Sequence, residues 1–313
     1  MPGYISILTI DLKFLKPMIM KTISIIFASL LLATTSCNER ETAIKRKEMS
    51  EENKVKFSSG YSDVNGLKMY YEIYGEGKPL VLIHGGGSTI QSNFEKAIPL
   101  FAKNRKVIAV ELQAHGRTND RNKDSSFEQD ADDVATLLNN LHIPKADFFG
   151  FSNGATTTLQ IAIRHPELAG KIVLGSALAK RSGVPDWFWD FMKTASLENM
   201  PPQLQTAYKK VAPDSNGLQV MHDRDAKRMV HFKDIPDEQL AAIKVPALII
   251  NGDKDVITIE HAMELHKKIV NSELAIIPGA HGEYIGEVTT IKADFKESEM
   301  AVPMIEKFLN SQK

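Results

Sequence analysis

A serine flanked by glycines is the most informative group of residues in the chain. Gly150–Gly154 reads Gly-Phe-Ser-Asn-Gly, follows an apolar run that predicts a strand, and leads into NGATTTLQIAIR, which predicts a helix. Glycines two residues before and after a serine let a strand and a helix approach each other through a sharp turn. Such a turn exposes the Ser152 hydroxyl at a helix N-terminus, where backbone N–H groups favour negative charge. We therefore predict that Ser152 is a nucleophile.

A run of three glycines offers backbone N–H groups for the same chemistry. His84-Gly85-Gly86-Gly87 follows the apolar run PLVLI. Glycine lets an N–H face a developing oxyanion unobstructed, and one such donor is worth about 3 kcal/mol of transition-state stabilisation. We expect the N–H groups of Gly86 and Asn153 to be the two donors, with Gly87 a near-equal alternative to Gly86. His84 could act as a base, but its place at a strand end favours holding the loop by hydrogen bonds.

Together these motifs resemble the α/β-hydrolase fold family over about residues 54–311. The segment Ala114–Thr118 (AHGRT) is also similar to that family's G-x-G-x-S/T loop, although Ala114 stands where glycine is commoner. The resemblance implies an α/β fold with a mostly parallel central sheet, helices on both faces and a helical cap insertion. It also implies a catalytic triad in the chain order nucleophile, acid, histidine, and a reaction that needs no cofactor and no metal.

That order places the acid after the strand that follows the cap, and the histidine after the last strand. In ALIINGDKDVITIE the family's G-x-x-D spacing, counted from Gly252, selects Asp255, with Asp253 as the alternative. In LAIIPGAHGEY a glycine-flanked loop carries His281. His281 would accept the Ser152 proton while Asp255 holds the ring in its tautomer, and water would hydrolyse the resulting acyl-enzyme.

Other histidines and carboxylates have simpler interpretations. His261 and His266 fall in a predicted amphipathic helix, where a solvated or packed role is the default. His222, Asp223 and Asp225 could suggest a metal site, but a solvated charged turn is the expected arrangement.

Short apolar runs that alternate with helical patterns must position the reactive residues. Strands are predicted at 56–61, 68–74, 79–83, 107–110, 147–151, 171–174, 247–250 and 274–277, and helices at about 90–102, 128–141, 153–164, 259–270 and 299–310. Asn65-Gly66 predicts a hairpin turn between the first two strands. Strands that alternate with helices predict a mostly parallel sheet covered on both faces.

Residues 177–242 form an interval far longer than one crossover needs. We expect this interval to form a cap over the carboxyl ends of the strands, where open α/β sheets bind their ligands. Four aromatic residues lie near its start: Trp187, Phe188, Trp189 and Phe191. They either line a hydrophobic pocket or form the cap's own packing core.

The N-terminal residues predict export. Lys21 precedes the apolar run Thr22–Ala33, which is followed by small residues and then by Cys37, a pattern typical of a secretory signal peptide. The cysteine makes it resemble a bacterial lipoprotein signal, although Thr34 replaces the usual Leu. A plain secretory signal is the alternative.

We therefore expect residues 1–36 to be a signal peptide, with 1–17 upstream of the true start. Residues 37–53 carry many charges of both signs and predict a tether. Lipidation of Cys37 would anchor the protein to a bacterial membrane, facing the periplasm or the cell surface.

Composition excludes several classes of partner and site. The chain has 313 residues, of which 43% are hydrophobic and 25% charged, and its formal net charge of −1 provides no field to recruit nucleic acid. A single cysteine cannot form an internal disulfide or a zinc site with two thiolates.

The expected substrate is a small-molecule carboxylic ester or lactone. The long insertion leaves room for a bulky molecule such as a macrolide lactone. The same triad also serves two other reactions, hydrolysis of a C–C bond in diketone-like substrates and cofactor-free perhydrolase or haloperoxidase chemistry. A catalytically silent binding protein is the alternative outside the enzymes. The sequence does not predict the oligomeric state.

Overall fold

A central sheet organises the computed structural model, which describes residues 56–292 and 297–312. The predicted signal peptide, the charged tether and the lipidation site at Cys37 lie outside the described residues. Within the described residues, no helix is long and apolar enough to cross a membrane.

The sheet has eight strands in the order β1-β2-β4-β3-β5-β6-β7-β8. Their bounds are β1 Phe57–Val64, β2 Leu67–Tyr74, β3 Lys78–Ile83, β4 Arg105–Val110, β5 Ala146–Phe151, β6 Ala169–Gly175, β7 Ala247–Gly252 and β8 Ser272–Ile277. β2 is antiparallel to β1 and β4, and all other neighbouring strands are parallel. The predicted, mostly parallel sheet is confirmed.

The strand order creates a crevice between β3 and β5. From β3 the chain crosses to β4 on one side, whereas from β5 it crosses to β6 on the other. Ligands of open α/β sheets bind at such a switch point, beyond the carboxyl ends of the strands. The triple-glycine run follows β3 and Ser152 follows β5, so both motifs lie at this crevice.

Helices cover both faces of the sheet, as predicted. Their bounds are α1 Ile90–Phe94, α2 Ile98–Phe101, α3 Phe127–Asn140, α4 Asn153–Arg164, α5 Asp186–Lys193, α6 Pro202–Val211, α7 Gly217–Val230, α8 Asp237–Ala242, α9 Ile259–Lys268 and α10 Glu297–Asn310. Alternate residues of β3 pack in the hydrophobic cores on opposite faces of the sheet, because successive side chains of a strand point to opposite faces. Val81 and Ile83 pack with residues of α3, α4 and α9, whereas Leu80 and Leu82 pack with residues of α1, α2 and α10.

One predicted helix is wrong in its extent. The stretch at 90–102 forms two short helices, α1 and α2, instead of one. Pro99 lies near the start of α2 and has no N–H to donate to the carbonyl of Glu95, so a continuous helix would lose that bond. The other predicted strands and helices begin and end within three residues of the observed bounds.

The insertion between β6 and β7 contains α5–α8. It packs against the α/β part, because its buried side chains form clusters with Phe127 at the start of α3, with Ala114 after β4 and with Ile257 after β7. Phe188 and Phe191 line a cavity that Ser152 also borders, and the two tryptophans do not. Trp189 is buried and its indole N–H donates to the Arg181 carbonyl at 2.9 Å, whereas Trp187 is 60% exposed.

Candidate active site

The turn between β5 and α4 holds Ser152 in a strained conformation. Its φ is +54° and its ψ −121°, a region that residues with a side chain seldom occupy. The flanking glycines make the turn possible: a Cβ on Gly154 would lie 2.1 Å from the Ile83 carbonyl oxygen, and one on Gly150 would lie 2.1 Å from the Gly154 carbonyl oxygen. The close approach that the motif predicts is therefore present, with Ser152 at the N-terminus of α4.

Loops after β7 and β8 bring an acid and a histidine to the serine. His281 Nε2 lies 3.0 Å from Ser152 Oγ, and His281 Nδ1 lies 2.7 Å from Asp255 Oδ1. Because a carboxylate oxygen only accepts, Nδ1 carries a proton, and in the neutral ring Nε2 is free to accept the serine hydroxyl proton. The three residues predicted as the triad thus form one hydrogen-bonded chain.

Asp255 is fixed by further donors that the sequence analysis did not identify. Its Oδ1 also accepts the Ile257 N–H at 2.9 Å, and its Oδ2 accepts the Ser176 hydroxyl at 2.6 Å. The Ser176 oxygen in turn lies 2.9 Å from the Tyr284 hydroxyl. Ser176 follows β6 and has φ +51°, but no motif in the sequence marks it.

The pair of Asp255 and His281 shifts the acidity of both groups. Burial alone would raise the pKa of Asp255, but the charge and hydrogen bond of His281 outweigh it, and the pKa is lowered. Enclosure alone would lower the pKa of His281, but the charge and hydrogen bond of Asp255 outweigh it, and the pKa is raised. The geometry therefore stabilises an imidazolium beside Ser152.

The competing candidates have other contacts. Asp253 is exposed, and its Oδ1 accepts the Gly279 N–H at 2.8 Å, so it shapes the loop that carries His281. His84 is fully buried, and its Nε2 accepts the Leu112 N–H at 3.1 Å. Burial lowers the pKa of His84 to about 3, so its ring is neutral and holds loop structure.

The helical histidines are packed rather than reactive. His261 Nε2 accepts the Ala179 N–H at 3.0 Å, and the ring is buried. His266 Nδ1 lies 2.8 Å from the Ser272 hydroxyl. Neither ring contacts Ser152 or Asp255.

The three N–H groups of the triple-glycine run differ in their hydrogen bonds. The Gly85 N–H donates to Asn93 Oδ1 and the Gly87 N–H to Asp225 Oδ2, each at 2.7 Å. Among the hydrogen bonds of the described residues, the Gly86 N–H between them has no acceptor. The N–H of Asn153 is the first of α4 and so has no partner within the helix. Of the two alternatives for the second oxyanion donor, this arrangement favours Gly86.

A cavity of about 230 Å³ opens above Ser152. Its apolar wall comes from the insertion and is rich in methionine and phenylalanine: Phe188, Phe191, Met192, Met200, Met221 and Met229. Within the described residues, its lining includes no Lys or Arg. A larger cavity of about 590 Å³ also borders α7 but contains none of the three triad residues.

The charged residues of α7 correct one expectation from the sequence. His222, Asp223 and Asp225 lie within a helix rather than a turn, and both His222 and Asp225 are buried rather than solvated. Asp225 forms ion pairs with Arg228 and with His115, from the loop after β4. The sequence pattern did not indicate this cluster, because His115 lies far from Asp225 and Arg228 along the chain. Among the described residues, no group of three or more His, Cys, Asp or Glu side chains could hold a metal ion.

Comparison with known proteins gives the family. Residues 78–237 match the family described as alpha/beta hydrolase fold, which is more than half of the chain. The human serine hydrolase BPHL is 27% identical over 255 residues, covering 74% of this chain and 84% of that protein. A pimeloyl-[acyl-carrier protein] methyl ester esterase of Neisseria meningitidis is 27% identical over 260 residues, covering 72% and 79%.

A solved structure shares the fold. The 2-hydroxy-6-oxo-6-phenylhexa-2,4-dienoate hydrolase of Rhodococcus sp. strain RHA1 superposes with a TM-score of 0.67 at 19% identity, covering 82% of this chain and 100% of that one. The sheet order, the strained serine turn and these matches agree, and the chain belongs to the alpha/beta hydrolase fold family and is a hydrolase.

Proposed function

We propose that the protein is a serine hydrolase that cleaves neutral carboxylic esters or lactones through an acyl-enzyme on Ser152. The observation that carries the proposal is the chain of hydrogen bonds from Ser152 through His281 to Asp255 beneath an apolar cavity. Small-molecule esters suit a hydrolase of this family.

The mechanism follows from the geometry of the site. Ser152 Oγ attacks the carbonyl carbon as His281 Nε2 takes the hydroxyl proton, and Asp255 stabilises the imidazolium. The N–H groups of Gly86 and Asn153 donate to the oxyanion of the tetrahedral intermediate. His281 then protonates the leaving alcohol, and a water deprotonated by the same ring hydrolyses the acyl-enzyme.

The pH profile of kcat/KM tests the role of His281. The ring acts as a base only when neutral, and its pKa is raised, so activity should rise with pH through a midpoint above the ordinary histidine value of about 6.5. Asp255→Asn removes the charge that raises this pKa and leaves the burial that lowers it. The midpoint of the residual activity should therefore move to lower pH. A wild-type midpoint at or below the ordinary value, or no movement in the variant, would contradict this assignment.

The lining of the cavity favours neutral esters over the substrates of C–C bond hydrolases. The dienoate named for the Rhodococcus structure carries a carboxylate. A carboxylate buried in a pocket needs a cation or several donors. Among the described residues the lining includes no Lys or Arg; its polar side chains are those of Ser152, Asn153, Asn199, His222 and Asp225, and His222 is the one that could become a cation. C–C bond hydrolysis is therefore the second candidate function.

A bulky lactone, such as a macrolide lactone, is the finer form of the proposal. The cavity is smaller than the pockets of about 300–1,000 Å³ that hold drug-sized ligands. Such a substrate would place only the part next to its carbonyl in the cavity, or would bind with the insertion displaced.

A pair of matched esters separates the two candidates. We expect p-nitrophenyl butyrate to be hydrolysed with a kcat/KM at least about 100-fold above that of mono-p-nitrophenyl succinate, because the succinyl chain would bury an unpaired carboxylate. Release of p-nitrophenol, followed by its absorbance, measures both. Comparable rates, or turnover of 2-hydroxy-6-oxo-dienoates without turnover of esters, would favour C–C bond hydrolysis. Activity on acetate that depends on added peroxide would favour a perhydrolase.

Export and lipid attachment at Cys37 are part of the proposal on the sequence alone. A lipid on this cysteine would hold the hydrolase at a bacterial membrane through the charged residues 38–53.

A further inference from the structure

The glycine run that presents the oxyanion donor needs an external anchor. Successive glycines have the widest choice of backbone conformations, and Gly87 adopts φ +66°. An oxyanion donor is effective only when it is held in place before the reaction. The Gly85 N–H is anchored by Asn93 of α1, and the Gly87 N–H by Asp225 of α7. The second anchor comes from the insertion, 138 residues further along the chain.

We propose that Asp225 is a positioning residue, which fixes Gly87 so that the neighbouring Gly86 N–H points at the oxyanion of the substrate. The proposal rests on the proposed function and assigns to the insertion a part in assembling the oxyanion hole. Asp225 Oδ2 lies 2.7 Å from the Gly87 nitrogen. The Gly87 N–H therefore already has an acceptor, and the Gly86 N–H remains available to donate to the oxyanion.

The charge of Asp225 is balanced by two partners, His115 and Arg228. Its Oδ2 accepts from His115 Nε2 at 2.9 Å, and its Oδ1 accepts from Arg228 Nη2 at 2.5 Å. His115 Nδ1 lies 2.8 Å from the Gln113 carbonyl oxygen. Both partners of the His115 ring are acceptors, so both ring nitrogens carry protons and the ring is a cation.

Because its charge is balanced, the Asp225 carboxylate can lie beside the oxyanion hole, where negative charge develops during the reaction. Burial alone would raise the pKa of Asp225, but Arg228 and His115 outweigh it, and the pKa lies well below its usual range. Arg228 is itself held by Asp130 at 2.6 Å. The cluster therefore ties α7 and α3 to the oxyanion loop through buried, charge-assisted hydrogen bonds.

Two other roles of Asp225 make different predictions. As an anchor for the fold alone, it would affect stability but not the rate per active site. As a direct contact of the substrate, since it borders the cavity, it would affect KM. A positioning role affects the transition state, and therefore kcat and the affinity for tetrahedral analogues.

The experiment compares Asp225→Ala, Asp225→Asn and the control Asp190→Ala. Asp190 is also a carboxylate of the insertion, but its side chain is 74% exposed and pairs with Lys193. The measurements are kcat and KM for p-nitrophenyl butyrate, normalised to active sites by titration, and the Ki of phenylboronic acid. Phenylboronic acid adds to a serine nucleophile and places an oxygen in the oxyanion hole.

For Asp225→Ala we expect kcat to fall between about 10- and 100-fold and the Ki of the boronic acid to rise by the same factor. KM should change less than about 3-fold, because ground-state contacts are retained. Asp225→Asn keeps an oxygen for the Gly87 N–H and should recover part of the loss. Asp190→Ala should match the wild type.

Each other outcome overturns the proposal. Wild-type kcat in Asp225→Ala, a rise in KM at constant kcat, or a fall in kcat without loss of boronate affinity would exclude the positioning role. Failure of both Asp225 variants to fold would assign the residue to the fold instead. A wild-type protein that neither hydrolyses the ester nor binds the boronic acid would reject the proposed function itself, independently of the variants.

Discussion

Replacement of Ser152 by alanine should lower kcat for p-nitrophenyl butyrate by about 10⁴-fold or more. The serine oxygen is the atom that attacks, and serine hydrolases without their nucleophile retain only the contribution of the oxyanion hole and of substrate binding. The measurement is steady-state turnover of the purified protein, with enough enzyme to detect the residual rate.

The same substitution should leave the fold intact. Ser152 has φ +54°, and alanine carries the same Cβ, so the backbone strain of the turn is unchanged. The thermal midpoint of Ser152→Ala should therefore stay close to that of the wild type. Ser58→Ala, at an exposed position of β1, serves as a control and should keep full activity. More than about 1% of wild-type activity in Ser152→Ala would mean that another group is the nucleophile.

The second large effect belongs to Asp255. Asp255→Ala should lower kcat by about 10⁴-fold, because His281 loses the acceptor that fixes its tautomer and the charge that stabilises its imidazolium. The Ser176 hydroxyl and the Ile257 N–H would also lose their common acceptor. Steady-state kinetics on the same ester give the measurement.

Asp253→Ala is the matched control for this prediction. The two aspartates lie two residues apart in the same loop, but among the described residues the side chain of Asp253 accepts one backbone N–H at the surface, from Gly279. Its loss should lower kcat less than about 10-fold, through movement of the His281 loop. Equal losses in both variants, or a larger loss in Asp253→Ala, would contradict the assignment of Asp255 as the acid.

Local patterns in the sequence sufficed for much of the fold. Asn65-Gly66 predicted a hairpin turn, and both residues have positive φ between β1 and β2. The apolar runs predicted the strands because their side chains are buried on both faces of the sheet. The break between α1 and α2 also has a local cause, Pro99. The apolar pattern of residues 90–102 nevertheless predicted one continuous helix.

Contacts distant in sequence account for what local patterns could not predict. Asp225 reads as one of several charges on a polar stretch, and its burial depends on His115, 110 residues away. Ser176 reads as an ordinary serine after a strand, and its role depends on Asp255, 79 residues away. The choice between Gly86 and Gly87 likewise depended on an acceptor that only the folded insertion supplies.

Labelling with a fluorophosphonate, followed by peptide mass spectrometry, tests most directly whether Ser152 is an activated nucleophile. We predict one phosphonyl group per chain on the peptide that contains Ser152, and none in Ser152→Ala. Labelling at a different residue, or no labelling of a folded wild-type protein that phenylboronic acid can reach, would contradict the proposed mechanism.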